Sequence, residues 1–319
     1  MEENVASIGE LVPQQARTIG RRRVLSPRAR DNIAGFLFIS PWLLNMLVLI
    51  SLAMVTSLVI SFYEADFLTT FEPVGLRNYQ QMIRDPLFFK SLVNTAYYTF
   101  GMVPLGIVFA IAIAVLLNQR VRALGVFRTL YYLPSIVSGV AVSILWMYLL
   151  NPRFGLINQG LALIGIDGPK WVYSEDWAIP SFIMMGVWAA GSNMLLYLAG
   201  LQGIPTELYE AARIDGSGAW HCFWHITLPM LSPTIFFNLV MSIIGAWQVF
   251  TQSYVMTGGG PNNATLTMVL YLYRKAFQQF HFGYASALAW ALFAIVMVFT
   301  LLVFRSSDAW VFYAGELRR

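Results

Sequence analysis

Charge is scarce in this chain: Lys, Arg, Asp and Glu make up 11% of its 319 residues while 58% are hydrophobic, where a soluble globular domain carries roughly a quarter charged residues. With a mean hydropathy of +0.62, a soluble organisation is excluded, and the length is better counted in membrane spans of about 20 residues plus connections. Cysteine is nearly absent. Cys222 alone rules out an intrachain disulfide. Histidine is limited to His221, His225 and His281. The first two have the i, i+4 spacing of a metal pair, but no Glu follows His221 and no further ligand lies near, so a wet helix face is the reading and no metal site is expected. No Walker-type sequence occurs. Gly258-Gly-Gly260 lacks the Gly-Lys-Ser/Thr ending of a phosphate loop and reads as a turn. The net charge of +4 is too small to point to nucleic acid.

The long apolar runs that are present predict an all-α integral membrane protein with six spans, at 32–63, 91–119, 129–151, 177–201, 230–253 and 283–304. Residues 1–31 are polar and rich in arginine, a mobile tail by composition. The run after them is about twice the length of a signal-peptide core and ends without a small-residue cleavage site, so it counts as the first span. Pro41 within it predicts a kink, and Pro134 breaks the third span. Residues 32–305 form the membrane domain and 306–319 a second tail. With both termini cytoplasmic, inner segments carry 13 of the 20 Lys and Arg residues, in keeping with the positive-inside rule.

No ionisable residue falls inside the six spans. That speaks against a membrane-embedded transferase, which needs an acid–base pair or a nucleophile. It also speaks against a stand-alone secondary transporter, which needs an ion-coupling carboxylate. What the spans do hold is uncharged polarity: Asn94, Thr95, Ser135, Ser138, Ser192, Asn193, Asn238, Ser242, Gln248 and Thr251, with Trp188, Trp247 and Trp290. Amides and hydroxyls beside rings suit a neutral polyhydroxylated ligand. The competing reading is structural: such groups bond to neighbouring helices, and tryptophan marks the headgroup belt. Gly283, Ala287 and Ala291 form a small-residue stripe that fits helix packing, within the subunit or with a partner.

The longest polar interruption of the second half runs from Pro205 to Pro229. Pro205 and Thr206 read as a helix start with Thr206 as N-cap, and Glu207 and Glu210 suit the positive end of the dipole. Leu208, Ala211 and Ala212 share one face, the alanines permitting close approach. Gly216 permits a tight turn, and a second helical run is expected to end at Pro229.

Within this segment, Glu210-Ala-Ala, Gly216 and Ile226-Thr-Leu-Pro229 stand at the spacing of the "EAA" signature, which this chain resembles at all seven fixed positions. Ile204-Pro205, Leu208-Tyr209, Ile214-Asp215, Phe223, Pro233, Val74-Gly-Leu-Arg-Asn-Tyr79, Asp85-Pro86, Asn94-Thr95, Tyr132-Leu-Pro134, Thr257-Gly-Gly-Gly-Pro261 and Gly283-Tyr-Ala285 are similar to the carbohydrate branch, the maltose and glycerol-3-phosphate permease-like family of binding-protein-dependent ABC importers. Ser217 departs from the family's usual alanine. The resemblance covers roughly 33–305 and implies a non-catalytic permease subunit in a bacterial or archaeal cytoplasmic membrane. It implies a heterodimer with a second permease, a cytoplasmic ABC ATPase dimer that uses ATP and Mg, an extracytoplasmic solute-binding protein, and a sugar or a phosphorylated polyol such as glycerol 3-phosphate as cargo. No cofactor is expected on this chain. Glu210, Ala211, Ala212, Asp215, Gly216, Leu228 and Pro229 would form a cytoplasmic coupling helix and its exit. Trp188, Asn193, Ser242, Trp247, Gln248 and Thr251 would line the substrate path.

Overall fold

A computed structural model describes residues 27–66, 71–119 and 123–312. Most of the expected N-terminal tail and the end of the C-terminal one lie outside the described residues. The chain divides into two units after Val55. The first contains helix α1 (Pro27–Leu44), a π-helical stretch (Asn45–Ser51) and the start of α2 (Leu52–Ile60). Asp31–Ile60 forms a single apolar helix long enough to cross a membrane. Helix already begins at Pro27, within the segment read as tail. Pro41 lacks an N–H, which strands the Leu37 carbonyl. The Ser40 hydroxyl donates to that carbonyl at 2.8 Å.

In the second unit, β1 (Tyr63–Ala65) pairs antiparallel with β2 (Phe71–Pro73), placing Glu64 opposite Glu72. Helix α3 (Arg77–Arg84) follows, then α4 (Pro86–Leu117). The third span is the segment that departs most from expectation. It consists of α5 (Leu124–Ile136) and α6 (Gly139–Leu149), which meet at 104°. The break falls at Val137–Ser138 rather than at Pro134, which stays helical. A short α7 (Leu156–Leu163) leads to α8 (Glu175–Ala189), joined through a 3₁₀ turn (Ala190–Asn193) to α9 (Met194–Gln202). Then come α10 (Thr206–Ile214), α11 (Ala219–Cys222), a π turn (Phe223–Thr227) and α12 (Leu228–Trp247). A π turn (Ser253–Thr257), α13 (Met268–Tyr273), another π turn (Arg274–Gln278) and α14 (Phe282–Trp310) complete the chain. Among the described residues, five helices are long and apolar enough to cross a membrane, six if the bent pair is one span.

Helix α4 is the centre of this unit and packs on α8, α9 and α12. Small residues permit the approach. A Cβ on Gly106 would sit 3.0 Å from that of Ala190, and one on Gly186 would sit 2.7 Å from Met102 Cγ, the close helix contact that glycine allows in membranes. The stripe on α14 is likewise used within the subunit: Gly283 and Ala287 are buried, and a Cβ on Gly283 would meet the Tyr63 carbonyl.

At the end of the bundle opposite α10, Asp85 gathers three elements. It caps α4 by accepting from the Leu87 N–H at 2.9 Å, and it accepts from the hydroxyls of Tyr284, at 2.6 Å, and Tyr271. Lys275 lies 5.5 Å from the Tyr271 ring centre. Burial raises the Asp85 pKa, but the tyrosine and backbone hydrogen bonds and Lys275 outweigh it, so the carboxyl lies below its ordinary 3.8. Asp85→Asn should therefore lower thermal stability in detergent by about 1.5–3 kcal/mol at neutral pH. A depressed folded-state pKa stabilises fully above the unfolded value and loses that effect as pH falls through the folded one. The melting curves of wild type and variant should therefore begin to converge once the pH drops under the unfolded value of about 4, and meet only as it passes through the lower folded pKa.

Candidate functional site: a coupling segment and a polar cavity

The segment expected to act in coupling is built from two helices at the α10 end of the bundle. Pro205 occupies the N-cap and Thr206 the first helical position, with no side-chain capping bond, so the expected Thr206 cap is not made. Glu207 lies in the first turn and Arg213 in the last, each favoured by the dipole. The helix stops at Gly216, whose φ of +80° suits only a residue without Cβ. Gly216 N–H reaches the Arg213 carbonyl at 3.0 Å and Ser217 N–H the Ala212 carbonyl at 2.8 Å, the paired bonds of a Schellman cap. Tyr209 fixes α10 to the next helix through a 2.9 Å hydrogen bond with the Thr227 hydroxyl. Glu210, Ala211 and Asp215 are exposed and Ala212 is half-buried.

The second helical run does not end at Pro229 as expected. Ala219–Trp247 is one helix, with Leu228 and Pro229 inside its course. Pro229 cannot donate a backbone hydrogen bond, and the turn before it widens to π geometry, Leu228 N–H bonding to the Phe223 carbonyl. The candidate coupling segment thus passes into the fifth span without a break in the helix. His221 and His225 stack with ring centres 3.9 Å apart, and no third metal-ligating group joins them among the described residues.

A cavity of about 580 Å³ opens where the 3₁₀ turn between α8 and α9 faces the end of α12. Asn193, Ser242, Gln248 and Thr251 line it, as expected, together with Ser192 and Asn238. None of its lining residues is charged. Gln248 and Thr251 reach it because α12 ends at Trp247, earlier than the expected limit of the span, and the chain runs irregularly over 248–250 before helix resumes at Thr251 and leads into the next π turn. Non-helical backbone at membrane depth persists only where protein or a cavity satisfies it. Here the Thr267 hydroxyl donates to the Val249 carbonyl at 2.9 Å.

The two tryptophans grouped with these residues do not line the cavity. Trp247 is 2% exposed and stacks on Phe299 at 5.4 Å, turned into the core beside α14. Trp188 packs edge-on against Trp146 at 5.8 Å. Asn94 and Thr95 also face elsewhere. Asn94 donates to the carbonyls of Asn263 and Leu266, at 2.8 and 3.0 Å, and Thr95 accepts from Met268 N–H at 3.0 Å. They anchor the loop containing Gly258 and Gly259, whose positive φ angles make it a turn. Tyr98, Phe237 and Gln252 line the cavity without having been singled out. For Gln252 the signal was its place beside Thr251. For the two rings no local signal exists, because their neighbours along the helices are equally apolar.

A many-spanned helical architecture around an uncharged cavity fits a membrane transport component, and comparison with known proteins gives that class. A family model described as the inner membrane component of binding-protein-dependent transport systems matches residues 102–310. The chain is 42% identical over 292 residues to the probable ABC transporter permease protein YesP of Bacillus subtilis (strain 168), covering 90% of this chain and 94% of that one. It is 36% identical over 281 residues to the lactose transport system permease protein LacF of Rhizobium radiobacter, covering 86% and 93%. Its fold superposes with a TM-score of 0.76, at 23% identity and over 87% of this chain and 95% of the other, on a chain of a bacterial alginate ABC transporter solved in complex with an alginate pentasaccharide-bound periplasmic protein. The chain belongs to the family of binding-protein-dependent transport system inner membrane components; it is an ABC transporter permease.

Trp247 and Gln248 are sequence neighbours with opposite surroundings. Trp247→Ala should destabilise the protein by about 3–5 kcal/mol. Gln248→Ala should leave the melting temperature unchanged and alter the half-saturation concentration for transport. Melting curves and uptake assays on the two variants check both.

Proposed function

We propose that this permease carries neutral sugar across the inner membrane, forming half of the translocation path with a second permease in a heterodimer. The uncharged cavity supports this reading most directly: its amides and hydroxyls can pair with sugar hydroxyls, while no lysine or arginine on its wall pairs with a phosphate. That makes a phosphorylated polyol the weaker candidate. The transport of lactose by LacF and of trehalose/maltose by MalF of Thermococcus litoralis, to which the chain is 34% identical over 278 residues, points the same way.

A cytoplasmic ATPase dimer seats α10, and a solute-binding protein delivers cargo at the opposite end. What supports the first is exposure: Ile214 and Trp220, 86% and 73% exposed, flank the Schellman turn, and apolar groups clustered at one end favour a protein partner. Glu210 offers a carboxylate to a basic group there. ATP-driven closure of the ATPase would displace α10 and, through the unbroken helix, α12, switching the cavity between two openings. Both termini then lie in the cytoplasm.

Glu210→Lys and Gly216→Pro should each leave the chain inserted in the membrane while abolishing ATPase co-purification or solute-stimulated hydrolysis. Normal uptake and stimulation in both would remove the coupling role. Uptake in proteoliposomes from a panel of neutral sugars and sugar phosphates tests the cargo class, with transport of the phosphorylated members alone overturning it.

A further inference from the structure

One side chain fastens the end of α14 to the base of α12. Pro233 lies inside α12, and its missing N–H strands the Pro229 carbonyl four residues before it. The Ser232 hydroxyl donates to that carbonyl at 2.6 Å. The same oxygen accepts from the backbone N–H of Phe312 at 2.8 Å. A hydroxyl has one proton to give and lone pairs to receive, so both bonds form together. Ser232 is 3% exposed. Phe312 stands just beyond α14, where Val311 has turned to extended backbone at φ −86°, ψ 125°. One turn along α12, Phe236 packs edge-on to Phe304 at 5.0 Å and to Trp310 at 6.1 Å. A single face of α12 therefore grips the last turns of α14.

The position of this clasp suggests its use. Pro229 is the last residue of the coupling segment, and Ser232 bonds to its carbonyl. Helix α14 runs from there for 29 residues, about 43 Å at 1.5 Å per residue, to Tyr284 and the Asp85 cluster at the far end. We propose that Ser232 is a positioning residue for energy coupling: through its two hydrogen bonds, displacement of the coupling segment is carried from α12 into α14 and along it to the opposite end of the membrane domain. The aromatic contacts beside it orient ring on ring but hold no backbone group of α14. The hydrogen bond fixes the register between the two helices. This inference rests on the reading of α10 as the ATPase dock.

The test uses the whole transporter, with both permeases, ATPase and solute-binding protein, in proteoliposomes, and reads solute transported per ATP hydrolysed. Phe312→Pro removes the N–H together with the ring, Phe312→Ala removes the ring alone, and Val311 already has the backbone that precedes a proline. Ser232→Ala removes both bonds, Ser232→Thr keeps the hydroxyl, and Phe312→Ala keeps the N–H. Phe312→Pro and Ser232→Ala should lower the transport-to-hydrolysis ratio about threefold or more, the scale of mutations that modulate coupling, with assembly intact; the other two should match wild type. An unchanged ratio in assembled Phe312→Pro overturns the proposal, since a purely structural role would lower yield or melting temperature without touching that ratio. If Phe312→Pro does not assemble, amide exchange decides. Protection of the Phe312 amide in wild type and its loss in Ser232→Ala uphold the clasp, and exchange at the unprotected rate in wild type overturns it. A wild-type complex that hydrolyses no ATP in response to loaded binding protein overturns the importer reading itself, a result separate from any change in ratio.

Discussion

Inside a bilayer no water is present to satisfy a backbone carbonyl or amide, and the course of this chain follows from how it meets that constraint. The apolar runs become helices because a helix satisfies its own backbone. Prolines are where this fails, and the molecule meets them in distinct ways. At Ser40-Pro41 and Ser232-Pro233 the preceding serine hydroxyl takes the place of the missing N–H. Ahead of Pro229 the ladder widens into a π turn. Near Pro134 the helix carries on and then gives way at Val137–Ser138 with a bend of 104°.

These solutions position the functional parts. Because the π turn keeps the helix unbroken from Ala219 to Trp247, the run that follows the α10 turn and the cavity wall sit on one continuous helix. Because that helix does end at Trp247, residues 248–250 run irregularly before helix resumes at Thr251, and Gln248 and Thr251 face an uncharged cavity while the Val249 carbonyl is met by Thr267. In the proposed function, work and cargo would be handled at separate places along one piece of structure. Helix α14 lies alongside, tied at one end through Ser232 and at the other through Tyr284.

The polar residues of the spans divide into two kinds that composition does not separate. Asn94 and Thr95 spend their hydrogen bonds on a distant loop, holding the Gly-rich turn and the start of α13 against α4. Asn193, Ser242 and Gln248 border open space. The first kind closes one end of the bundle and the second leaves room in its middle.

By itself the sequence determined what depends on local sums and local stereochemistry. Hydropathy over windows of 20 residues marked the spans, a left-handed glycine and flanking polar residues marked the α10 turn, and the uncharged character of the spans carried through to the cavity wall. The rotation of each helix was decided only by tertiary structure, because it is set by contacts between residues far apart in the chain. Phe299 claims Trp247 for the core, and the turn of backbone after it delivers Gln248 to the cavity. The clasp at Ser232 was equally hidden. Its donor to Pro229 is a neighbour in sequence, but its second partner, Phe312, comes beside it only once α12 and α14 have packed together.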